Sequence, residues 1–215
     1  MPVLISAVIA YLIGAVPTGL LVGKIGWGTD IRLSGSGNIG ATNVGRVLGP
    51  GAGYLVLVLD VLKGAAAVML PTALIAGVVR FPAGGGRGDS LLIVTAAGAV
   101  IAGNMFSVFI GGKGGKGVGV ASGALLMMVP EIAAILLLVW LFVRAATKYV
   151  SIASLCIATL FPALMWFYHD DNKTYMIFSL LASAMVFYSH RTNIKRLVAG
   201  EELKFDRQAE REKHE

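Results

Sequence analysis

The sequence predicts an all-α membrane protein of about seven transmembrane helices, folded as a single integral membrane domain over residues 1–215. Charged residues make up 14% of the chain, against about 25% in soluble proteins. Hydrophobic residues make up 56%, and the mean hydropathy is +0.78. Apolar stretches of about 20 residues, the length that a bilayer core requires, recur along the chain. These observations exclude a water-soluble globule and a disordered chain.

The apolar stretches lie, in chain order, at Val3–Val22, Tyr54–Val79, Leu91–Gly111, Val118–Val143, Ile152–Tyr168 and Thr174–Ser189. The first stretch has no basic segment before it and no convincing cleavage site, which favours a retained helix over a signal peptide. Val118–Val143 is either one long span or two short spans hinged at Pro130–Glu131.

The distribution of basic residues decides between these two arrangements. A turn at Pro130 gives seven spans and places fourteen Lys and Arg residues on one side of the membrane against three on the other. The side with many basic residues holds Lys24, Arg32, Arg46, Lys113, Lys116, Arg144, Lys148 and seven basic residues after Ser189. The side with few holds Arg80, Arg87 and Lys173. Because cytoplasmic loops carry the excess of basic residues, we expect an external amino terminus and a cytoplasmic tail over residues 190–215.

The external connections and the isolated charges have simple interpretations. Phe81–Ser90 is a Pro/Gly-rich loop, and His169–Asn172 is a polar turn for which a metal site is a weaker alternative. Asp60 and Lys63 lie one helical turn apart and predict an intrahelical ion pair. A single cysteine, Cys156, leaves no disulfide framework or cysteine-metal site. We expect no metal site and no nucleic-acid partner.

The polar residues concentrate in four segments that seven spans place on the cytoplasmic side. These segments are Ser34–Arg46, Gly111–Gly119, Lys148–Ser154 and His190–Arg196. Their convergence on one face predicts a functional site there.

The Gly111–Gly119 segment holds six glycines and two lysines in nine residues. Glycines let successive backbone N–H groups point into one concavity, and a helix start adds partial positive charge, so the pattern predicts an anion site. A flexible hinge with interfacial lysines is the alternative. Neither of the two GxGxxG matches in the chain follows a strand, and the Walker pattern fails at Ile110 and Gly117, which excludes a Rossmann or P-loop nucleotide site.

The other segments add individual candidates. Arg46 offers a guanidinium fork suited to phosphate. The Ser36, Thr42 and Asn43 side chains are candidates for hydroxyl binding, although a Gly/Asn/Ser-rich turn is the alternative. In the last segment, His190 is a candidate base, hydrogen-bond donor or interfacial residue. Three further polar residues have weaker interpretations: Asn104 as an interhelical hydrogen bond, Asn193 as a neighbour of His190 on a helix, and Glu202 as a partner for a cation or a solvated side chain.

Several of these segments together resemble the motif regions of the bacterial acyl-phosphate:glycerol-3-phosphate acyltransferases, the PlsY family. The matching segments are Ser34–Arg46, Gly111–Val118, His190–Leu197 and Asp60-x-x-Lys63-Gly64, and their order and spacing agree along nearly the whole chain. The chain departs from the family at Gly103-Asn104, where many members carry Gly-His. It departs again at Ile110–Gly112, where a Phe-Lys approach is common.

The resemblance implies an inner-membrane enzyme that moves an acyl group from acyl phosphate to the 1-hydroxyl of glycerol 3-phosphate, giving lysophosphatidic acid. By position, it implies a substrate-contacting set of Ser36, Asn43, Arg46, Lys116, His190 and Asn193, with His190, Asn193 and Lys116 nearest the chemistry. Further contacts are Thr42, Lys113, Gly114, Gly115, Ser151, Ser154 and Glu202. The implied partners are glycerol 3-phosphate, acyl phosphate and membrane lipid, without a cofactor.

Two questions stay open in the sequence. The proton acceptor is either His190 or a phosphate oxygen of a bound substrate, and the second is favoured because no Ser–His–Asp arrangement can be assembled. The competing function is transport of an organic phosphate. No inverted repeat is visible, and the polar groups gather on one face instead of the bilayer midplane, unlike many transporters.

Overall fold

The computed structural model describes residues 1–76 and 87–205, and within these ranges every regular element is helical. The helices are α1 (Pro2–Ala15), α2 (Thr18–Trp27), α3 (Ala41–Leu48), α4 (Pro50–Ala76), α5 (Arg87–Met105), α6 (Val118–Met128), α7 (Pro130–Thr147), α8 (Val150–His169), α9 (Lys173–Ser189) and α10 (Arg191–Val198). The all-α prediction is confirmed for these residues.

Helices long and apolar enough to cross a membrane occupy Pro2–Trp27, Pro50–Leu70, Ser90–Ile110, Pro130–Thr147 and Val150–His169. Large apolar side chains face outward on them; Phe142 and Phe167 are 74% and 79% exposed, as lipid-facing residues are. α6 has 11 residues and rises about 16 Å, half of a hydrocarbon core of about 30 Å. Helices occupy most of the described part of each predicted span. The count of seven crossings and their orientation stay predictions.

The first predicted span is not one continuous helix, because α1 ends at Ala15 and α2 begins at Thr18. Pro17 lies in the break, where it supplies no backbone N–H and obstructs the preceding turn. The Lys63 ammonium donates to the Val16 carbonyl at 2.8 Å and to the Thr18 hydroxyl at 3.0 Å. Lys63 also lies 3.0 Å from the Asp60 carboxylate, so the predicted ion pair is confirmed and stabilises the break as well.

The predicted hinge at Pro130–Glu131 is confirmed as a helix boundary, since α6 ends at Met128 and α7 begins with Pro130 as its first residue. At the same end of the bundle, His169 lies 2.9 Å from the Glu131 carboxylate. Asn172 then caps α9 by accepting from the Tyr175 N–H at 3.2 Å. No group of three potential metal ligands occurs among the described residues.

Three predicted segments fall partly outside the described residues. Of the Tyr54–Val79 span, residues 77–79 are outside, and so is Arg80, which was counted on the side with few basic residues. Of the Phe81–Ser90 loop, residues 87–90 form the first turn of α5, and residues 81–86 are outside. Of the tail, residues 190–205 are described, with α10 and then residues 201–204 without regular secondary structure, and residues 206–215 are outside.

Small residues bring the central helices together. Gly14 of α1 lies against the Val100 backbone of α5, and Gly123 of α6 lies against the Val61 carbonyl of α4. A Cβ atom at either glycine would overlap with that backbone, which is the kind of close approach that glycine permits between membrane helices. These contacts pack α5 against α1 and α6 against α4, and α5 and α6 are the two helices that the glycine-rich loop joins.

Candidate functional site

A polar cavity of about 300 Å³ lies where the four predicted segments meet. Its lining includes, of the predicted site residues, Ser36, Thr42, Asn43, Arg46, Gly115, Lys116, Ser151, Ser154, His190, Asn193 and Glu202. Lys113 is exposed and does not line this cavity, and neither does Gly114. The structure therefore brings together residues up to 166 positions apart, from Ser36 to Glu202.

The glycine-rich loop is attached to the end of α5 through Asn104. The Gly115 N–H donates to the Asn104 backbone carbonyl at 2.8 Å, and the Gly117 N–H donates to its side-chain Oδ1 at 3.1 Å. The Gly114 N–H donates to the Met105 carbonyl at 3.0 Å. The interhelical bond predicted for Asn104 is thus a loop contact. Because these three N–H groups are occupied, the N–H groups left for an anion on the cavity wall are that of Lys116 and those of the first turn of α6, at Val118 and Gly119.

Lys116 is the lysine of this loop that lines the cavity. Burial lowers the pKa of its ammonium to about 8, the Glu202 carboxylate opposes that shift, and the charges of Arg196 and Arg46 add to it. Its backbone carbonyl accepts from the Ser189 hydroxyl at 3.1 Å, which ties the loop to the end of α9. Lys116 is therefore a cation held in a partly dehydrated, electropositive position, which an arriving anion stabilises.

Arg46 reaches the cavity from α3. Its Nη2 donates to the Leu203 carbonyl at 2.8 Å, while its buried Nε has no partner among the described residues. Burial lowers its pKa from 12.5, but a guanidinium keeps its charge at neutral pH. A buried N–H without an acceptor is costly, and a phosphate oxygen is a suitable acceptor for it.

Asn43 holds the first loop in place. Its amide nitrogen donates to the Ile31 and Ser34 carbonyls, both at 3.1 Å, and its oxygen accepts from the Ser36 N–H at 2.7 Å. These bonds occupy the amide within the loop, so a substrate contact for Asn43 stays a prediction. The Ser36 and Thr42 hydroxyls also line the cavity and make no hydrogen bond with the described residues.

Glu202 connects three parts of the site. Its Oε1 accepts from the Ser151 hydroxyl at 3.1 Å and from the Asn193 amide at 2.6 Å, and its Oε2 accepts from Arg196 Nε at 2.9 Å. Burial alone would raise its pKa, but the hydrogen bonds and the Arg196 charge lower it below the ordinary value. Glu202 is therefore ionised, and of its two predicted roles the structure supports that of a partner for cations.

His190 lies between α9 and α10 and is 1% exposed. Its Nδ1 lies 2.8 Å from the Val186 carbonyl, so Nδ1 carries the proton and Nε2 carries the lone pair. Burial and the Lys116 charge lower its pKa to about 4, against smaller opposing effects of the Val186 carbonyl and Glu202. His190 is therefore a neutral hydrogen-bond acceptor at pH 7, and Nε2 has no partner among the described residues.

An apolar cavity of about 370 Å³ adjoins the polar one. It lies among α4, α5, α6, α7, α8 and α9, and the two cavities share the lining residues Leu57, Val118, Gly119, Leu137, Trp140 and Ser154. Ser154 is occupied at this junction, since its hydroxyl donates to the Val150 carbonyl at 2.9 Å and accepts from Trp140 Nε1 at 3.3 Å. The site as a whole suits an amphiphile with an anionic head and an apolar chain.

Sequence reasoning gave no site role to several residues at this cavity. Arg196 pairs with Glu202, Asn104 fixes the glycine-rich loop, and the Phe205 ring lies over the Arg144 guanidinium. Asn104 was visible as a polar residue inside a span. No local sequence pattern predicts a site role for Arg144 or Phe205, because they come into contact only when the segment after α10 packs against the end of α7.

A profile of the family described as glycerol-3-phosphate acyltransferase matches residues 4–200. The chain belongs to this family. It is 40% identical over 201 residues to the glycerol-3-phosphate acyltransferase 2 of Moorella thermoacetica, covering 94% of this chain and 96% of that protein. It is 42% identical over 205 residues to the glycerol-3-phosphate acyltransferase of Lactiplantibacillus plantarum, covering 94% and 91%.

Two solved structures are similar along nearly the whole chain. Both are crystal structures of PlsY, an integral membrane glycerol 3-phosphate acyltransferase. The glycerol 3-phosphate form has a TM-score of 0.84 and 33% identity, covering 95% of this chain and 96% of that one. The lysophosphatidic acid form has a TM-score of 0.82 and 32% identity, covering 95% of each. The predicted resemblance is confirmed, and the chain is an integral membrane acyltransferase of phospholipid synthesis, not the organic-phosphate transporter kept as the alternative.

The pKa of Lys116 predicts a pH dependence of anion binding. Because this pKa is lowered to about 8, the charge is present below that pH and is lost above it. Sulfate, whose own charge is constant in this range, should therefore bind progressively more weakly above pH 8, as measured by calorimetry from pH 6 to 10. No step is expected near pH 6.5, since His190 is neutral throughout.

The matched variant for this measurement is Lys116→Arg, which stays charged up to pH 10. It should hold its sulfate affinity where the unmodified protein loses it. A parallel decline in both proteins would assign the pH dependence to another group.

Proposed function

We propose that the acyl donor of this acyltransferase is acyl phosphate and that the acceptor is the 1-hydroxyl of glycerol 3-phosphate. The hydroxyl oxygen forms a bond to the acyl carbon, the bond from that carbon to the phosphate oxygen breaks, and the products are lysophosphatidic acid and inorganic phosphate. The observation that carries this proposal is a polar cavity with excess positive charge that joins an apolar cavity through shared lining residues.

The acceptor phosphate fits between Arg46 and Lys116. Arg46 supplies an unpartnered N–H, and Lys116 becomes fully charged when an anion approaches. The hydroxyls of Ser36 and Thr42 lie on the same lining and suit the glycerol hydroxyls. Two unit charges of the same sign 4 Å apart repel by about 4 kcal/mol at an effective dielectric constant of 20, so the cations are needed to hold two phosphates close together.

His190 and Asn193 suit the reacting hydroxyl. A histidine with a pKa of about 4 is a poor proton acceptor at neutral pH, but its free Nε2 accepts a hydrogen bond and orients the hydroxyl. Asn193 Oδ1 is buried without a partner and offers a second acceptor. The proton then passes to an oxygen of the departing phosphate, so the step needs no charged protein base, and its rate comes from position and charge neutralisation.

The acyl chain of the donor fits the apolar cavity, where burial contributes about 0.8 kcal/mol per CH₂ group. Its carbonyl carbon then lies near Trp140 and Ser154, at the junction of the two cavities. In this arrangement a membrane-dissolved donor enters from the apolar cavity and a water-soluble acceptor enters from the polar cavity, and the two meet at the junction.

We assign the chain to the bacterial inner membrane, with seven crossings, an external amino terminus and the site facing the cytoplasm. The support for this orientation is the fourteen-to-three distribution of basic residues. In this arrangement α6 and α9 are short crossings, and the glycine-rich loop makes up part of the depth that α6 lacks.

The donor is tested with purified protein in lipid and labelled glycerol 3-phosphate, supplied in separate reactions with acyl phosphate, acyl-carrier protein and acyl-coenzyme A. We expect lysophosphatidic acid from acyl phosphate alone, with the other donors at least about 100-fold slower, a difference of about 2.7 kcal/mol in activation free energy. Comparable or faster transfer from either thioester would disprove the proposed donor.

The two lysines of the glycine-rich loop give a matched pair of variants. Lys116→Ala should raise the KM for glycerol 3-phosphate by about 10-fold or more, since a hydrogen bond to a charged group is worth about 1.5–3 kcal/mol. Lys113→Ala should change it by less than about threefold, because Lys113 is exposed outside the cavity. Equal effects of both variants would mean that the loop acts by overall charge and not through Lys116.

The role of His190 is tested by its replacement with a neutral hydrogen-bonding side chain. His190→Gln should keep measurable turnover, reduced by about 10- to 100-fold, because one hydrogen bond is weakened while the phosphate still takes the proton. Complete loss of turnover with glycerol 3-phosphate binding intact would identify His190 as the required base.

A further inference from the structure

Arg144, in the last turn of α7, is the third cationic side chain that lines the polar cavity without a carboxylate partner. Its guanidinium carbon lies 3.9 Å from the centre of the Phe205 ring and 5.7 Å from the centre of the Trp140 ring. Its Nε is buried and has no hydrogen-bond partner, and no carboxylate among the described residues pairs with it. The aromatic rings orient the flat guanidinium but give its buried Nε–H no acceptor.

The position of Arg144 differs from that of an interfacial anchor. Anchoring arginines extend their charge towards water or lipid headgroups. Arg144 instead lies beneath Phe205, in a segment that is held down by the Phe205 N–H bond to the Lys148 carbonyl at 3.0 Å. The charge is thereby held on the protein side, on the wall of the cavity.

Arg144 lies on a part of the cavity wall that borders the apolar cavity. Trp140, against which it packs, lines both the polar and the apolar cavity. Arg46 is placed by a different element, α3, and is tied to the chain at Leu203. The polar cavity thus has a cation on its α7 wall, beside Trp140, and others on α3 and on the glycine-rich loop, whose following residues Val118 and Gly119 also border the apolar cavity.

We propose that Arg144 binds the phosphate of the acyl donor. This inference rests on the proposed function. An acyl phosphate whose chain fills the apolar cavity places its headgroup at the junction beside Trp140, close to a guanidinium whose buried Nε–H has no acceptor. Arg46 and Lys116 then bind the acceptor phosphate, so the two anions have separate cationic partners. Phe205 is a positioning residue that holds the guanidinium fork towards the junction.

A lipid headgroup phosphate has the same chemistry as the donor headgroup, and the experiment separates the two. The KM values for acyl phosphate and for glycerol 3-phosphate are measured for the unmodified protein and for Arg144→Gln, in zwitterionic lipid and in lipid with added phosphatidylglycerol. The matched control is Arg191→Gln, since Arg191 also stacks on an aromatic ring, that of Tyr188 at 4.4 Å, but lies outside the cavity lining.

In both lipids, Arg144→Gln should raise the acyl phosphate KM by about 10- to 100-fold, the loss expected for a charged hydrogen bond. The glycerol 3-phosphate KM should stay within about twofold, and Arg191→Gln should leave both constants unchanged. Arg144→Lys, which keeps the charge but loses the planar fork, and Phe205→Leu, which keeps Arg144, should raise the donor KM by smaller factors. Both variants also serve as the test if Arg144→Gln does not fold.

Three results would overturn the inference. An unchanged donor KM in the variants, while the unmodified protein uses acyl phosphate, would refute the role of Arg144 and leave the proposed function intact. An effect confined to phosphatidylglycerol membranes would assign Arg144 to a lipid headgroup. Use of a thioester donor by the unmodified protein would refute the proposed donor and this inference with it.

Discussion

The carboxylate of Glu202 is the interaction on which the site depends. It accepts hydrogen bonds from Ser151, Asn193 and Arg196, and so joins α8 and α10 to the irregular segment that follows α10. The cavity lining contains three cations, Arg46, Lys116 and Arg144, and its other carboxylate, Asp60, is paired with Lys63. One carboxylate holds these elements together without neutralising the site, and the remaining positive charge is available to substrate phosphates.

Two kinds of contact have different roles in this arrangement: backbone contacts set helix spacing, and side-chain contacts place the charges. Backbone approaches at Gly14 and Gly123 set the spacing of α5 against α1 and of α6 against α4, and α5 and α6 carry the two ends of the glycine-rich loop. Side-chain contacts at the end of the bundle then place charge inside a partly dehydrated cavity, where its interaction with an anion is stronger than in water. The adjoining apolar cavity extends the site into the part of the bundle that faces lipid, which suits a reaction between one soluble and one membrane-dissolved substrate.

Much of this fold was predictable because its signals are local. Apolar length and Pro130 predict the helices and the α6–α7 boundary, and the spacing of Asp60 and Lys63 predicts their ion pair. The four polar segments were expected to converge, and their residues line one cavity. What local patterns could not supply is the direction in which each side chain points: Lys113 and Lys116 are equivalent in sequence, yet only Lys116 lines the cavity. The role of Arg144 depends on Phe205, and the position of Arg46 depends on Leu203, 157 residues away.

The central claim is that Arg46 and Lys116, from distant parts of the chain, bind one phosphate together. A double-mutant cycle on glycerol 3-phosphate binding tests it most directly, with calorimetric affinities for Arg46→Gln, Lys116→Gln and the double variant. Residues that share a ligand group should be coupled by about 0.5–3 kcal/mol, so the loss in the double variant should differ from the sum of the single losses. Losses that add to within about 0.3 kcal/mol would contradict a shared phosphate.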